Sequence, residues 1–344
     1  MCMRGPIIDA GRGRCEGAAT RVEAASAPEI VVAPCLAGGR ARARSRTLPV
    51  AQCDDPETSS DRLIVTMMTD PKLLERIAEI VGAEGAVPDG VDPFAFCREI
   101  LHLLGTTDGK LREWRVYGIL HLWVVRREMS DDELRDLLWT IADEDHLFRG
   151  IGEAASDTVY LRAFSVLVLA PFVRAHREKA YLSIEELERL TATVVRYLDA
   201  ERDLRGFVSG ETLWAHATAH AADALGELAQ CEELSAESLR AILDALGRNV
   251  VTDETVWRHE EDARAAAAAI HALTRGALTD EAITDWLASL LPPARYDGPL
   301  PGTHWRFVNA RNLLRCLIHQ GEAEGLPARV LARIRDAHGR LPDR

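Results

Sequence analysis

Apolar positions recur at helical spacing from residue 70 onward, and capping signals divide this pattern into separate helices. Asp70 and Asp92 each place a capping carboxylate before a proline, which suits the first position of a helix. Ser130 and Ser183 are each followed three residues later by Glu, the spacing of a capping box. No alternation typical of β-strands follows residue 67, so an all-α fold is predicted. The longer helices are expected at about residues 110–127, 157–174, 212–230, 253–274 and 303–319.

Short helices between the long ones form a repeat. Five segments of similar pattern each carry an apolar anchor, and successive anchors are 53, 52, 44 and 47 residues apart. Repeats of about 40 to 50 residues with one short and one long helix are typical of HEAT and armadillo proteins. The sequence therefore predicts an α-solenoid of stacked helical hairpins, a single domain over residues 67–344, with an irregular helical bundle as the alternative. The anchors are Leu134, Leu187, Leu239, Ile283 and Val330.

Residues 1–66 differ from the rest of the chain in composition. They are rich in Ala, Gly, Arg, Ser and Pro without sustained periodicity, which predicts a disordered segment. The segment is either a disordered tail or a mis-annotated extension of a protein whose translation begins at Met67 or Met68. It has no apolar core long enough for a secretory signal. Four of the seven cysteines lie here without a CxxC spacing, so a reducing cytoplasm is the expected location.

Charge and hydropathy argue against two classes of partner. The chain carries a net charge of −13, and residues 1–66, with nine Arg and eight acidic residues, contribute +1, which leaves −14 for the remainder. Nucleic-acid binding usually requires a basic surface, so a nucleic-acid partner is not expected. The best apolar run, residues 165–173, contains a proline and is shorter than the roughly 18 residues of a membrane span. No membrane association is expected.

Four ionisable residues form a stripe on the predicted helix at 212–230. His216, His220, Asp223 and Glu227 lie within about 60° of one another at helical periodicity. Two imidazoles at i and i+4 could chelate a divalent transition metal, and Asp223 could complete its shell or orient a ligand. Alternatively, the imidazoles hydrogen-bond to carboxylates or carbonyls on neighbouring helices and fix their packing. The residues alone leave both interpretations open.

An acidic cluster opens the next long helix. Glu260, Glu261 and Asp262 are consecutive, so they point in three directions and at most two of them can face one site. Arg264 is expected to pair with Glu260 or Glu261 at helical spacing. A carboxylate of this cluster that approached His216 could act as a general base or a metal ligand. A solvated acidic face is the alternative.

Further polar candidates lie on the other long helices. Every second helix of a solenoid lines one surface, so these residues are expected to share a groove with the histidine stripe. Arg162 lies in a strongly apolar helix and needs a carboxylate partner, for which Glu153 and Asp223 are the candidates. The remaining candidates for the groove are Ser165, Trp214, Asn309 and Asn312.

Five segments that carry these residues resemble the signature blocks of a bacterial family, domain of unknown function 2785. They occur in the order of that family and within about residues 75–335. The resemblance implies a HEAT-like helical fold and the location of a site, and it implies no activity. The usual Arg-Ser-Phe-Ser block of the family reads Arg-Ala-Phe-Ser here. The segments are Gly150-Ile-Gly-Glu153, Asp157 to Ser165, Trp214 to Asp223, Glu260-Glu-Asp-Ala-Arg264 and Asn309 to Arg315.

The motifs leave two functional classes. The sequence contains no GxxxxGK[ST], no GxSxG, no kinase block and no GxGxxG after a strand, which removes the main nucleotide and serine-hydrolase interpretations. The first remaining class is a binding module whose acidic concave surface holds a basic peptide, a protein partner or a small molecule. The second is a hydrolase that uses His216, His220, Asp223 and a carboxylate of residues 260–262, with or without a metal. No other cofactor is expected.

Overall fold

A computed structural model describes residues 70–292 and 298–341 of the chain. Within these ranges the fold is mostly helical, with twelve α-helices and a single short β-hairpin. The segment 1–66, predicted as disorder or as an extension, lies outside the described residues. The helices are α1 (Pro71–Gly82), α2 (Pro93–Ile100), α3 (Tyr117–Val125), α4 (Asp131–Ile141), α5 (Thr158–Glu178), α6 (Ile184–Ala200), α7 (Ala217–Ala229), α8 (Ala236–Val250), α9 (Glu261–Thr274), α10 (Asp280–Ser289), α11 (Gly302–Ala323) and α12 (Ala328–Gly339).

The predicted capping residues start their helices as expected. The carboxylates of Asp70 and Asp92 accept hydrogen bonds from backbone N–H groups of the first turns of α1 and α2. Ser130 and Ser183 form complete capping boxes with the Glu three residues later. A 3₁₀-helix (Leu101–Gly105) follows α2, and a π-helix (Lys110–Val116) runs directly into α3. The helix predicted at 110–127 is therefore present, but its first two turns are wound as a π-helix.

Helices of odd and even number pack in two layers. In the odd layer α3 packs against α5, α5 against α7, α7 against α9 and α9 against α11. In the even layer α2 packs against α4, and α6, α8, α10 and α12 pack in succession. The two layers meet in one continuous apolar core, whose largest buried side chains include Trp123 and Trp286. Each of these indoles donates a 2.8 Å hydrogen bond to a backbone carbonyl of a neighbouring segment, at Gly85 and Leu243 respectively.

A β-hairpin replaces the first turn of a predicted helix. Strands β1 (Phe207–Ser209) and β2 (Leu213–Trp214) pair antiparallel, and α7 begins only at Ala217. The prediction of a helix from residue 212 and of no strand after residue 67 is wrong at this point. The backbone of the hairpin is held by contacts with the π-helix about 100 residues earlier, which local periodicity cannot reveal. The helix expected at 253–274 likewise begins only at Glu261.

Helix α5 is a long apolar helix of the odd layer. Among the described residues it alone is long and apolar enough to cross a membrane by length and composition. Its most apolar window is 78% buried inside the protein, as the central helix of a packed core is. The helix also carries Arg162, whose side chain is fully buried.

Candidate functional site

His216 lies immediately before α7 and joins two segments of the odd layer. Its backbone adopts the left-handed conformation with φ 58°, which is rare for a residue other than glycine. Its Nε2 lies 2.8 Å from the backbone oxygen of His259 and 3.4 Å from Oε1 of Glu261. The ring of Trp214 stacks on the imidazole with the centroids 4.9 Å apart. We name Trp214, His216, His220, His259 and Glu261 the histidine cluster.

Glu261 is the buried carboxylate of the histidine cluster. Only 2% of its side chain is exposed, and its Oε2 accepts a 2.8 Å hydrogen bond from the backbone N–H of His259. Burial raises its pKa, but hydrogen bonds from His216 and from backbone N–H groups outweigh burial, so the pKa lies below its usual value. Gly206 packs against His259 and Glu261, since a Cβ at Gly206 would lie 2.2 Å from Nδ1 of His259. The close approach therefore requires glycine.

His220 is buried between α5 and α7. Its Nδ1 lies 3.1 Å from the backbone oxygen of Ala163, and its ring meets the ring of Phe164 edge-on at 5.1 Å. A carbonyl only accepts hydrogen bonds, so Nδ1 carries the proton and Nε2 keeps its lone pair. Burial lowers the pKa of His220 well below its usual value, and the positive charge of Arg264 lowers it further. His220 is therefore a neutral imidazole at pH 7.

The acidic residues of the predicted stripe are paired with arginines from the flanking helices. Asp223 binds Arg264 of α9, with Nε of the arginine 2.6 Å from Oδ1. Glu227 accepts from two arginines of α5, Arg174 at 2.7 Å and Arg177. The stripe thus links α5, α7 and α9 through side chains at the surface of the odd layer. Arg264, for which a partner within its own helix was expected, makes this link between helices.

Two residues of α3 extend these pairs along the layer. The Tyr117 hydroxyl lies 3.3 Å from Nδ1 of His121, and both side chains are half-buried. The charges of Arg174 and Glu227 reach both groups electrostatically. We name the whole set the polar strip: Tyr117, His121, Arg174, Arg177, Asp223, Glu227 and Arg264.

Arg162 has a different partner from the two that the sequence suggested. Its guanidinium binds the carboxylate of Glu201 in a bidentate pair, at 2.8 and 3.0 Å. Both side chains are buried, with 0% and 2% exposed. The guanidinium also donates to the backbone oxygens of Arg149 and Gly150. Glu201 directly follows α6, in the even layer, so no periodicity within α5 could have identified it.

Arg112 and Glu113 of the π-helix hydrogen-bond to the backbone that leads into the histidine cluster. Neither residue was identified from the sequence. The Arg112 side chain is fully buried, and it donates to the backbone oxygens of Thr212 and Trp214. Glu113 accepts a 3.0 Å hydrogen bond from the backbone N–H of Trp214. Burial raises the pKa of Glu113 in spite of its contact with Arg112. The sequence offers no signal for this role, because all of these partners lie about 100 residues away.

The remaining candidates serve the loops or lie apart from the cluster. Asn309 donates to the backbone oxygens of Thr252 and Thr255, so it holds the loop before α9 and does not face a groove. Ser165 is fully buried, and its Oγ has no hydrogen-bond partner among the described residues. The last three are Asn312, half-buried on α11, Asp262, whose pKa burial raises, and Glu260, exposed with φ 69°.

The predicted metal ligands are engaged by different partners, although the rings of His216 and His220 lie 5.6 Å apart. His216 binds a backbone oxygen and Glu261, His220 binds another backbone oxygen, and Asp223 binds Arg264. Over residues 70–292 and 298–341, no group of three His, Cys, Asp or Glu side chains is arranged to hold a metal ion. The contacts of these imidazoles correspond to the structural alternative, in which they fix the packing of neighbouring segments.

The described residues thus form an all-helical protein of two packed layers, with the histidine cluster on the odd layer. Within that class the chain belongs to the family described as "Protein of unknown function (DUF2785)", whose model matches residues 147–318. All five segments that suggested the family lie within the match, and so does most of the odd layer. Neither the search of curated proteins nor that of solved structures gives a match.

Proposed function

We propose that this protein is a non-catalytic, cytoplasmic binding module whose odd helices offer a polar groove to a protein, peptide or small-molecule partner. The pairing of the ionisable groups carries this proposal. Arg162 neutralises Glu201, Arg264 neutralises Asp223, and the imidazole of His216 meets Glu261. Ionisable groups that are paired with one another stabilise the structure around them, whereas a catalytic centre needs such groups to converge on an open space.

The packing of alternate helices supports an α-solenoid as the framework of this module. Consecutive odd helices pack against each other from α3 to α11, and consecutive even helices do so from α6 to α12. Stacked hairpins of a solenoid produce this succession, because each repeat contacts its neighbours in both layers. We therefore propose a single helical-repeat domain that includes residues 67–344.

An open depression on the odd layer offers space for a partner. It has a volume of about 570 Å³ and lies at the carboxyl ends of α7 and α9. Gln230 follows the polar strip on the same helical face, so the depression extends the surface of the strip. Its lining residues are Gln230, Glu232, Ile270, His271, Thr274, Arg275 and Glu324.

Site-specific photo-crosslinking in cells that naturally produce the protein tests the groove. A photoreactive residue at Gln230 is expected to give discrete crosslinked species. The matched control is the same residue at Asp285, which is exposed on α10 of the even layer. Equal crosslinking from the two positions, or none from either, would contradict a groove with a dedicated partner.

A hydrolase remains the second candidate because of two observations at the histidine cluster. His220 is a buried neutral imidazole with a lone pair on Nε2, and His216 and Glu260 both hold strained left-handed backbones. Strain and shifted pKa values often accompany active sites. In this alternative His216 and His220 would act with Asp223 or a carboxylate of residues 260–262, with or without a divalent transition metal.

Elemental analysis and a hydrolase screen decide the alternative. Protein purified without added metal or a histidine tag would be compared with His216→Ala and His220→Ala. Near-stoichiometric zinc, iron or manganese lost in both variants, or hydrolysis of an ester or phosphate ester lost in both, would favour the enzyme. Wild-type protein without metal or hydrolysis, together with destabilised variants, supports the binding module.

A further inference from the structure

The polar strip carries more positive than negative charge. It contains three guanidiniums, of Arg174, Arg177 and Arg264, against two carboxylates, of Asp223 and Glu227. Glu178 at the end of α5 also acts electrostatically on Arg174, so the strip with its surroundings is close to neutral in a chain with a net charge of −13. A neutral region of an acidic surface repels anions less than the rest of that surface does.

The cationic groups of the strip are also the more accessible ones. The side chains of Arg174 and Arg177 are 50% and 32% exposed, whereas the Glu227 carboxylate between them is 13% exposed. A guanidinium has five N–H donors, and within the described residues each of these two donates only to Glu227.

Glu227 holds the two guanidiniums in place before any ligand arrives. One oxygen accepts from Arg174 and the other accepts from Arg177, so a single carboxylate fixes two long side chains. Their conformational freedom is already reduced, which lowers the entropy cost of using their other donors. The planar fork of arginine matches the oxygens of carboxylate and phosphate groups.

We propose that the polar strip binds one oxyanion group, a phosphate or a carboxylate, through Arg174 and Arg177. The proposal rests on the proposed groove function and names the ligand chemistry at one end of that groove. The proposed ligand is an anion, whereas the acidic composition of the chain alone would favour a basic peptide. Tyr117 and His121 of α3 interact electrostatically with Arg174 and Glu227.

Isothermal titration calorimetry of the full chain with inorganic phosphate, and separately with succinate, tests the subsite. The titrations are run at low salt, which leaves the charges of the strip little screened. The double variant Arg174→Ala/Arg177→Ala is expected to bind about tenfold more weakly or worse. The stronger of the two probes identifies the oxyanion.

Arg196→Ala is the matched control, since Arg196 is an exposed arginine of the even layer that also pairs with a glutamate, Glu144. Its binding is expected to equal that of the wild type. Should the double variant fail to fold, Arg174→Ala alone decides, because Arg174 is the more exposed of the pair. Unchanged binding in the arginine variants, or no binding of either probe by the wild type, would overturn the subsite. Crosslinking at Gln230 would still test the groove independently.

Discussion

Arg162 and Glu201 form a salt bridge in which both side chains are almost fully buried. Removing one partner leaves a charge in the core without compensation, a loss that typically costs about 3 to 5 kcal/mol. Glu201→Ala is therefore expected to lower the free energy of unfolding by about 3 kcal/mol in a urea titration. Arg196→Ala removes an exposed pair and is expected to cost about 1 kcal/mol or less. Equal effects of the two changes would contradict the buried pair.

Gly206 is a steric requirement of the histidine cluster. Gly206→Ala would drive a methyl group into the His259 ring and the Glu261 carboxylate. Overpacking of this kind costs about 1 to 3 kcal/mol, measurable as a lower thermal midpoint. Gly210→Ala in the turn of the same hairpin is the control, because no described atom lies within 4 Å of its Cβ position. A Gly206→Ala variant as stable as the control would mean that the loop can move aside freely.

His220 gives the fold a defined response to acid. Its pKa in the folded state is depressed, so below about pH 6.5 the unfolded chain binds a proton that the folded chain does not. Stability is therefore full above that pH and falls as the pH drops toward 5. We expect His220→Gln to flatten this decline in urea titrations at pH 7, 6 and 5, since an amide does not titrate. An equally steep decline in the variant would exclude His220 as its source.

At the scale of elements, the hairpin before α7 depends on the π-helix. Arg112→Met removes the donors that hold the carbonyls of Thr212 and Trp214. Hydrogen exchange of residues 207–214 is expected to accelerate by about tenfold or more, because local opening then costs less free energy. Arg115→Ala, at an exposed position of the same π-helix, is the control and is expected to leave exchange unchanged. Unchanged exchange in Arg112→Met would show that the strand pairing alone holds the hairpin.

Local signals predicted helix type and helix starts where the capping group is a side chain. Asp70, Asp92, Ser130 and Ser183 all cap as expected. The starts of α7 and α9 were misplaced, because no side chain caps either helix and the residue before each is left-handed. Those starts depend on contacts between distant segments, such as that of His216 with the loop before α9. Periodicity within one helix carries no information about such contacts.

The sequence singled out the ionisable residues at α7 but not their partners. His220, Asp223 and Glu227 follow one another at helical spacing on α7, whereas His216 precedes the helix with a left-handed backbone. Their partners come from α5, α9 and the loop before α9, and the pairing of Arg264 with Asp223 joins residues 41 positions apart. Arg112, Glu113 and Glu201 were not singled out at all. A single sequence encodes which face is polar, whereas the register between stacked helices decides which charges meet.

At the scale of the whole molecule, the loop before α9 is held by hydrogen bonds from two different parts of the odd layer. Asn309 of α11 holds its first half at Thr252 and Thr255, and His216 at the start of α7 holds its end at His259. Between these two contacts Arg258 is exposed to solvent. A protease that cut after Arg258 would break the chain while both new ends stay hydrogen-bonded, the first through Thr255 and Trp257 to Asn309 of α11 and the second through His259 to His216. The two fragments should migrate together on a native gel and separate only in denaturant.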